Sequence, residues 1–342
     1  MDSDLLKTLF PYLVILGLLV VYLSTVPIMI WVERKVSAWI QIRVGPNRVG
    51  PFGLIQPIAD ALKIFSKEDI IPSRTNKWLY IFAPGIMVFP AFFVFGVIPW
   101  GVLTIGGENL YVQVGKTNIG ILFVLAVSSL TVYGMTFGAW ASNNKYSLLG
   151  GLRSAAQMIS YELPMGLSIL GLVLVAGSLR IEDIVNFQYQ SVWGFIWQPL
   201  GALIFLVTAF AETNRLPFDL TEAEAELVGG YHTEYSSLKF GMFYLAEYLN
   251  MLTASSMITC LYLGGWHVPF LSSMGLEPLT MQIIQIGAFV FKVAFLMFFY
   301  VWVRWTLPRF RYDQLMRFGW KKLIPLALGN VILTAILMSI FS

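Results

Sequence analysis

Charged residues are scarce in this sequence, and cysteine and histidine are scarcer still. Of the 342 residues, 12% are charged and 57% are hydrophobic, whereas soluble domains carry about 25% charged residues. A chain with so little charge cannot cover a core with a surface that water tolerates. The composition excludes an ordinary soluble globular protein, and we expect lipid to surround the chain.

The single cysteine and the two histidines exclude several cofactor classes. Cys260 lies in a hydrophobic run, as a buried apolar side chain does, and an iron–sulfur cluster needs about four thiolates. His232 and His267 fall in connecting segments, away from the positions of a membrane haem pair. Neither a GxGxxG turn between strand and helix nor GxxxxGK[ST] occurs. We therefore expect no catalytic residue, metal site or redox centre on this chain alone, and no nucleic-acid partner.

Long apolar runs are abundant. Crossing a hydrocarbon core of about 30 Å takes about 20 apolar residues as a helix, and these runs exceed the roughly 10 residues of a barrel strand. The first run lacks the basic start and the cleavage site of a signal peptide. The sequence predicts an all-α integral membrane protein, one polytopic domain over 1–342, with about eight transmembrane helices at 8–32, 76–100, 118–140, 154–177, 196–215, 239–263, 283–305 and 321–341.

Basic residues set the predicted orientation, because Lys and Arg are enriched in inner loops. With the N-terminus outside, 18 of the 22 Lys and Arg residues fall in inner segments. Lys7, Lys116 and Arg180 lie outside, and Lys292 lies within a helix. We therefore predict that both termini are on the outer, periplasmic side.

The first inner loop contains a helix of a different kind. Leu54, Ile58, Leu62 and Phe65 recur at i, i+4, i+8 and i+11, with charged residues on the other faces. This spacing predicts an amphipathic helix over about 53–67 that lies in the membrane interface. The pattern alone leaves open whether this helix only anchors the loop.

Four ionisable residues fall inside the predicted helices. Each costs about 2.5–3.5 kcal/mol at a lipid-exposed helix centre, so we expect all four to face the bundle interior. At about 1.5 Å per residue from the flanking basic residues, the carboxylates lie in the inner half of the membrane and the lysine near its midplane. Such groups either form buried ion pairs or line a proton or ion pathway, and their spread over several helices favours the pathway. They are Glu162, Glu212, Glu247 and Lys292.

Two further groups of charges have two interpretations each. The inner loop over 216–238 has no Lys or Arg, and its acids either form a solvated face or, because clustering raises the pKa of some members, exchange protons near neutral pH. A cluster of three charges, at 33–35, either snorkels at the end of the first helix or lines the mouth of a cavity. The acids of the loop are Asp219, Glu222, Glu224, Glu226 and Glu234.

Nine segments occur together in an order typical of one family. They are ERK at 33–35, RVGPNRVGP at 43–51, QPIAD at 56–60, YE at 161–162, AETNRLPFDL at 211–220, EAEAEL at 222–227, EY at 234–235, AEY at 246–248 and PRFRYDQL at 308–315. Together they resemble the H subunit of respiratory complex I, the proton-pumping NADH:quinone oxidoreductase, whose mitochondrial homologue is NADH dehydrogenase subunit 1. The resemblance runs from about residue 20 to 325. The GPNRVGP form and the acidic loop look bacterial rather than mitochondrial, which implies a bacterial plasma membrane.

The resemblance implies a membrane subunit that forms most of a tunnel admitting quinone, the substrate, from the bilayer. The first, the amphipathic and the sixth helix would frame its mouth. Flavin and iron–sulfur clusters would be on partner subunits. Those partners would be the quinone-site and terminal iron–sulfur subunits of the peripheral arm, and the small and antiporter-like subunits of the membrane arm.

The resemblance also assigns residues by position. Mitochondrial members often read EGESEL where this chain reads EAEAEL, so the acids are retained and only the spacers differ. The tunnel side would include Glu33, Arg34, Arg43, Arg48 and Asp60. Proton coupling would involve Glu162, Glu212, Asp219, Glu222, Glu224, Glu226 and Glu247, to which we add Lys292.

Two other functions are alternatives. A membrane-bound proton-pumping hydrogenase has a related subunit but uses no quinone, so its complex would not respond to an inhibitor of the quinone site. An independent secondary transporter commonly has inverted repeats and broken helices in matching halves, and the sequence has no such symmetry.

Overall fold

The structure is a computed structural model that describes residues 3–105, 107–220, 227–269, 271, 275 and 277–341. Helix dominates the described chain. In order, the elements are α1 (Ser3–Ile40), α2 (Gln56–Ser66), α3 (Lys77–Phe95), β1 (Val102–Ile105), β2 (Glu108–Tyr111), α4 (Gly120–Ser128), α5 (Thr131–Ala141), α6 (Lys145–Ala176), α7 (Ile181–Gln190), α8 (Gly194–Trp197), α9 (Pro199–Glu212), α10 (Ser237–Tyr262), α11 (Pro278–Thr306), α12 (Tyr312–Phe318) and α13 (Ile324–Phe341).

Six helical segments in the described part of the chain are long and apolar enough to cross a membrane. They are α1, α3, α4 with α5, α6, α11, and α12 with α13. Helix α9 is apolar but has 14 residues. Helix α10 has 26 residues, and its Glu247, Asn250 and several Ser and Thr residues make it more polar. An all-α, multi-pass membrane protein is therefore confirmed, whereas the count of eight spans stays a prediction.

Several helix boundaries differ from the predicted ones for local reasons. Helix α1 runs to Ile40 instead of ending near 32, because the sequence has no Gly or Pro from there until Gly45. Helix α6 begins at Lys145, because the side chain of Asn144 caps it by accepting a hydrogen bond from Tyr146 N at 2.9 Å. Because α1 extends to Ile40, the charges at 33–35 lie within α1 and not beyond its end.

The loops divide between two sides of the helix bundle. We call the side with the described loop residues 41–55, 142–144, 213–220, 227–236 and 307–311 the basic side, and the side with 96–105, 107–119, 177–198 and 263–269 the opposite side. The amphipathic helix α2 lies on the basic side. The hairpin β1–β2 and the short helix α7, which the sequence patterns did not predict, lie on the opposite side.

Helix α6 is the central element of the packing on the basic side. It contacts α5, α9 and α13, together with the turn at Gly230–His232. The contact with that turn is close: a Cβ added to Gly150 would lie 2.9 Å from the Gly230 backbone. Small residues permit such approach between helices in a membrane, and here glycine brings the loop after α9 against α6.

Candidate functional site

A cavity of about 570 Å³ lies between α1, α2 and α10. Its walls are mainly apolar, and six ionisable or hydroxyl-bearing side chains are on its lining: Glu33, Arg34, Ser37, Asp60, Tyr244 and Tyr248. The apolar walls include Val26, Ile30, Pro57, Ala61, Ile64, Phe65, Leu245 and Trp305. Binding sites for small molecules have this combination of size, apolar lining and few polar groups.

Helix α2 contributes to the cavity with one face and presents an apolar face outward. Ala61 and Ile64 line the cavity, whereas Ile58 and Leu62 point away and are more than half exposed. Trp31 Nε1 donates to Phe52 O at 3.1 Å, and this bond holds the loop that precedes α2 against α1. The exposed face matches a helix lying in a membrane interface.

An ion pair connects α1 and α2 across the cavity lining. Arg34 Nη1 lies 2.5 Å from Asp60 Oδ2, and Gln56 Nε2 donates to Asp60 Oδ1 at 3.1 Å. Both charged side chains are partly exposed, so the pair contributes little stability. Its effect is to orient the two side chains at the cavity.

Glu33 lies inside the bundle, 8% exposed, with three partners from different parts of the chain. Tyr248 Oη donates to Glu33 Oε2 at 2.6 Å. Arg304 on α11 forms a hydrogen-bonded ion pair with Glu33 Oε1, and Arg215 Nη1 lies 3.8 Å from Glu33 Oε2. A buried carboxylate needs such partners because transfer from water is costly.

Arg215 connects two buried carboxylates. It is 4% exposed, and its Nη2 lies 3.6 Å from Glu247 Oε2 while its Nη1 faces Glu33. The guanidinium also stacks over the Tyr248 ring, 4.4 Å from the ring centroid. Together Arg304, Glu33, Arg215 and Glu247 form a cluster of two positive and two negative charges, which we call the ion network.

The acidic loop meets the ion network through Tyr231, and through Asp219 it contacts the segment after α11. Tyr231 Oη donates to Glu247 Oε1 at 3.1 Å. Arg309 Nη2 lies 2.9 Å from Asp219 Oδ2, so the start of the loop is tied to the segment after α11. Glu222, Glu224 and Glu226 lie outside the described residues.

Glu212 and Glu162 lie in the membrane part of the bundle. Glu212 lines a small cavity of about 40 Å³ together with Ser128, Thr213, Asn250 and Thr253, a volume on the scale of one water molecule. Glu162, on α6, is half-buried.

Lys292 has backbone partners. Its Nζ donates to the carbonyl oxygens of Leu263, Gly265 and His267 at 2.8, 2.9 and 2.9 Å. These groups lie at and just beyond the C-terminal end of α10, where helix carbonyls lack helical partners and carry partial negative charge. The structure therefore places Lys292 as a cap of α10, apart from the carboxylates with which the sequence grouped it.

The remaining predicted residues lie outside the cavity or in loops. Arg43 and Arg48 are exposed in the loop before α2 and are not among the residues that line the cavity.

Burial lowers the pKa of His232 to about 4, against the opposing influence of Asp219. Burial and the charge of Lys292 lower the pKa of His267 to about 4. Both imidazoles are therefore neutral at pH 7.

Sequence reasoning missed four members of the site. Arg215 and Arg304 entered the prediction only as basic residues of the inner segments. Neither Tyr231 nor Tyr248 was predicted to contact a carboxylate. Charge balance was the available signal: a buried Glu33 and Glu247 require cations, and Arg215 follows Glu212 by three residues. The pairing itself joins positions up to 271 residues apart, which no local pattern reveals.

Comparisons with known proteins agree over almost the whole chain. The sequence model of the NADH dehydrogenase family matches residues 13–335. An H subunit of NADH-quinone oxidoreductase from Cytophaga hutchinsonii is 52% identical over 312 residues, 91% of each chain. NADH-quinone oxidoreductase subunit 8 of Rhodothermus marinus is 50% identical over 94% of each chain, and the H subunit from Salinibacter ruber is 50% identical over 93% of each. The chain belongs to the NADH dehydrogenase family, together with these subunits of NADH-quinone oxidoreductase.

Proposed function

We propose that this chain is the membrane subunit of an NADH-quinone oxidoreductase that admits quinone from the bilayer and couples its reduction to proton translocation. The relatives are named as subunits of that enzyme. The single observation that carries the quinone part is the cavity between α1, α2 and α10. The ion network beside it carries the coupling part.

The cavity has the chemistry that a quinone requires. An isoprenoid tail is apolar and fits walls of Val, Ile, Leu and Phe, whereas a headgroup has two carbonyl oxygens that accept hydrogen bonds. Arg34, on the lining, has N–H groups besides the one that Asp60 accepts, and these are donors on the route. We propose that the headgroup moves past them to a reduction site shared with partner subunits, which supply the flavin and the iron–sulfur clusters.

Coupling in this proposal is electrostatic. Reduction of quinone to quinol takes up two electrons and two protons. The electrons come from an iron–sulfur cluster of a partner subunit, and the protons come from groups near the cavity. Charges interact strongly over several Å in a low-dielectric interior, so a change beside Glu33 alters the field at Arg215 and Glu247. The acidic loop, Glu212 and Glu162 then pass the change toward the antiporter-like subunits.

Orientation and assembly follow from the same proposal. The basic side faces the cytoplasm and the peripheral arm, and both termini lie in the periplasm, with eight helices crossing a bacterial plasma membrane. Helices α9 and α10 complete the eight because the rest of the bundle shields their short or polar stretches from lipid.

Filling the cavity is the direct test. Replacing Ala61 with Trp places an indole in the cavity from α2, where Ala61 lies at an exposed position that tolerates a large side chain. We expect NADH:quinone turnover per flavin to fall about tenfold, equivalent to about 1.4 kcal/mol. Electron transfer from NADH to an artificial acceptor reduced at the flavin is expected to remain at the wild-type rate.

The matched control is the neighbouring residue on the same helix. Leu62 is 64% exposed and points away from the cavity, so Leu62→Trp adds the same side chain without filling it. Quinone turnover of this variant is expected to match wild type. Equal turnover of the two variants with a long-chain quinone would contradict entry through this cavity.

A further inference from the structure

A buried glutamine on α6 holds the segment that carries Arg215. Gln157 is 0% exposed. Its Nε2 donates to Ala211 O at 2.8 Å and to Phe218 O at 2.7 Å, and lies 3.3 Å from Asn214 Oδ1. Because the two carbonyls flank Arg215 along the chain, one side chain fixes the segment on both sides of the arginine.

The two carbonyls have weaker contacts with their own segment. Ala211 O lies in the last turn of α9, where helix carbonyls lack helical partners, and its contact from Asn214 N is 3.4 Å long. Phe218 O accepts from Leu220 N at 3.1 Å. Without Gln157, the carbonyl oxygens of Ala211 and Phe218 lose their shortest hydrogen bonds, which costs free energy because both are buried. We therefore expect the segment that carries Arg215 to shift.

Helix α6 is a firm support for this contact. Ser147 Oγ donates to Tyr231 O at 2.8 Å, and Tyr161 Oη donates to Leu315 O at 2.9 Å. The first bond places the tyrosine that contacts Glu247. One helix therefore positions two groups that contact Glu247, Tyr231 through the turn at Gly230–His232 and Arg215 through Gln157.

We infer that Gln157 is a positioning residue of the enzyme: it keeps the Arg215 guanidinium between Glu33 and Glu247. The inference rests on the proposed function and deepens it, since Gln157 touches neither quinone cavity nor carboxylate and acts through Arg215. Its two amide hydrogens face acceptors, so the role depends on donor chemistry as well as on size.

Isosteric variants separate donor chemistry from packing. Gln157→Met retains length and apolar contacts but has no donor. Gln157→Glu retains shape: its protonated carboxyl donates one hydrogen bond, whereas its ionised form repels the three surrounding oxygens. Because ionisation is disfavoured there, the protonated form persists at low pH and is lost as pH rises. Rescue at low pH is a readout that a loss of packing does not produce.

The control is a second buried glutamine with similar contacts on the opposite side. Gln188 is 2% exposed. It donates to Cys260 O at 2.8 Å and accepts from Gly194 N at 2.7 Å. Its contacts hold α7 and α8 to the end of α10, on the side of the bundle away from Arg215, so Gln188→Met and Gln188→Glu disturb a comparable contact without reaching the ion network.

The experiment uses the whole purified enzyme with each variant and measures NADH:quinone turnover per flavin at pH 6 and pH 8. We expect Gln157→Met to be slower about tenfold at both pH values, on the scale expected when buried acceptors lose their donor. Gln157→Glu is expected to retain a larger share of wild-type turnover at pH 6 than at pH 8. The Gln188 variants are expected to stay within about twofold of wild type per flavin.

Three results would overturn the inference. They are wild-type turnover of Gln157→Met, an equal loss in Gln188→Met, and failure of every Gln157 variant to assemble while the Gln188 variants assemble, which would assign Gln157 to folding. The positioning role of Gln157 and quinone entry through the cavity are tested independently of each other. A slow Gln157→Met beside a wild-type Ala61→Trp would contradict quinone entry and support the positioning role.

Discussion

Replacing Arg215 with glutamine is expected to reduce quinone turnover per flavin at least about a hundredfold. Breaking a buried ion pair by removing one partner costs about 3–5 kcal/mol, because it leaves an uncompensated charge. Arg215 is 4% exposed and lies 3.8 Å from Glu33 and 3.6 Å from Glu247, so its loss removes a buried positive charge from beside both carboxylates. The network then lacks the charge balance on which its proposed response to quinone reduction depends.

The measurement is turnover of the assembled enzyme together with its flavin content, which separates catalysis from assembly. Arg309→Gln is the control, since Arg309 pairs with Asp219 at 2.9 Å but its side chain is 30% exposed. The Asp219 side chain is 6% exposed, but the Arg309 head is partly in solvent and pairs with one carboxylate among the described residues, so we expect a smaller loss there, at most about fivefold. Equal losses of turnover in the two variants would show that the position of Arg215 between two carboxylates is not important for turnover.

An intermediate variant tests geometry against charge. Arg215→Lys retains the positive charge but lacks the fork with which a guanidinium reaches two carboxylates at once. Its turnover is expected to lie between those of wild type and Arg215→Gln. A wild-type rate for lysine would mean that charge alone suffices.

Replacing Glu247 or Glu212 with glutamine is expected to lower the number of protons translocated per NADH oxidised, to about half or less of the wild-type value. Glutamine retains size and hydrogen bonding but neither charge nor an exchangeable carboxyl proton. At Glu247 it also removes one of the carboxylates that Arg215 faces. At Glu212 it removes the carboxylate from the 40 Å³ cavity. Proton uptake by sealed proteoliposomes, measured with NADH oxidation in the same sample, provides the ratio.

A third buried glutamate is the control for this pair of variants. Glu182 is 3% exposed, lies on α7 at the opposite side, and accepts a hydrogen bond from Gln113 Nε2 at 2.5 Å. Glu182→Gln is expected to leave the ratio unchanged. If Glu212→Gln and Glu247→Gln both pump like wild type, neither carboxylate belongs to the proton path.

The sequence predicted those parts of the fold that depend on local periodicity. Long apolar runs located the helices, and the i, i+4, i+8 spacing located α2, which spans Gln56–Ser66 against the predicted 53–67. Boundaries failed where side chains outside the run decide them, as Asn144 does for α6. The hairpin β1–β2 has only four residues in each strand, too few for an alternating pattern to stand out.

The site was predictable only as a set of candidates. The cost of burying a charge marked Glu212 and Glu247, and the family resemblance marked Glu33, Arg34 and Asp60. The partners were not predictable in physical terms, because a pairing such as Tyr248 with Glu33 depends on how α1 and α10 pack, 215 residues apart in sequence. The same limit applies to Lys292, whose backbone acceptors become visible only once the end of α10 is placed.

The lysine cap on α10 limits how the enzyme can respond to a new charge. Three carbonyls at and beyond its C-terminal end accept hydrogen bonds from one ammonium group, while Glu247 and Tyr248 lie in its first half. A helix anchored at one end resists sliding along its axis, so movement of the whole helix does not accommodate a new charge at Glu247. Side-chain rotation and proton exchange with the neighbouring helices accommodate that charge instead.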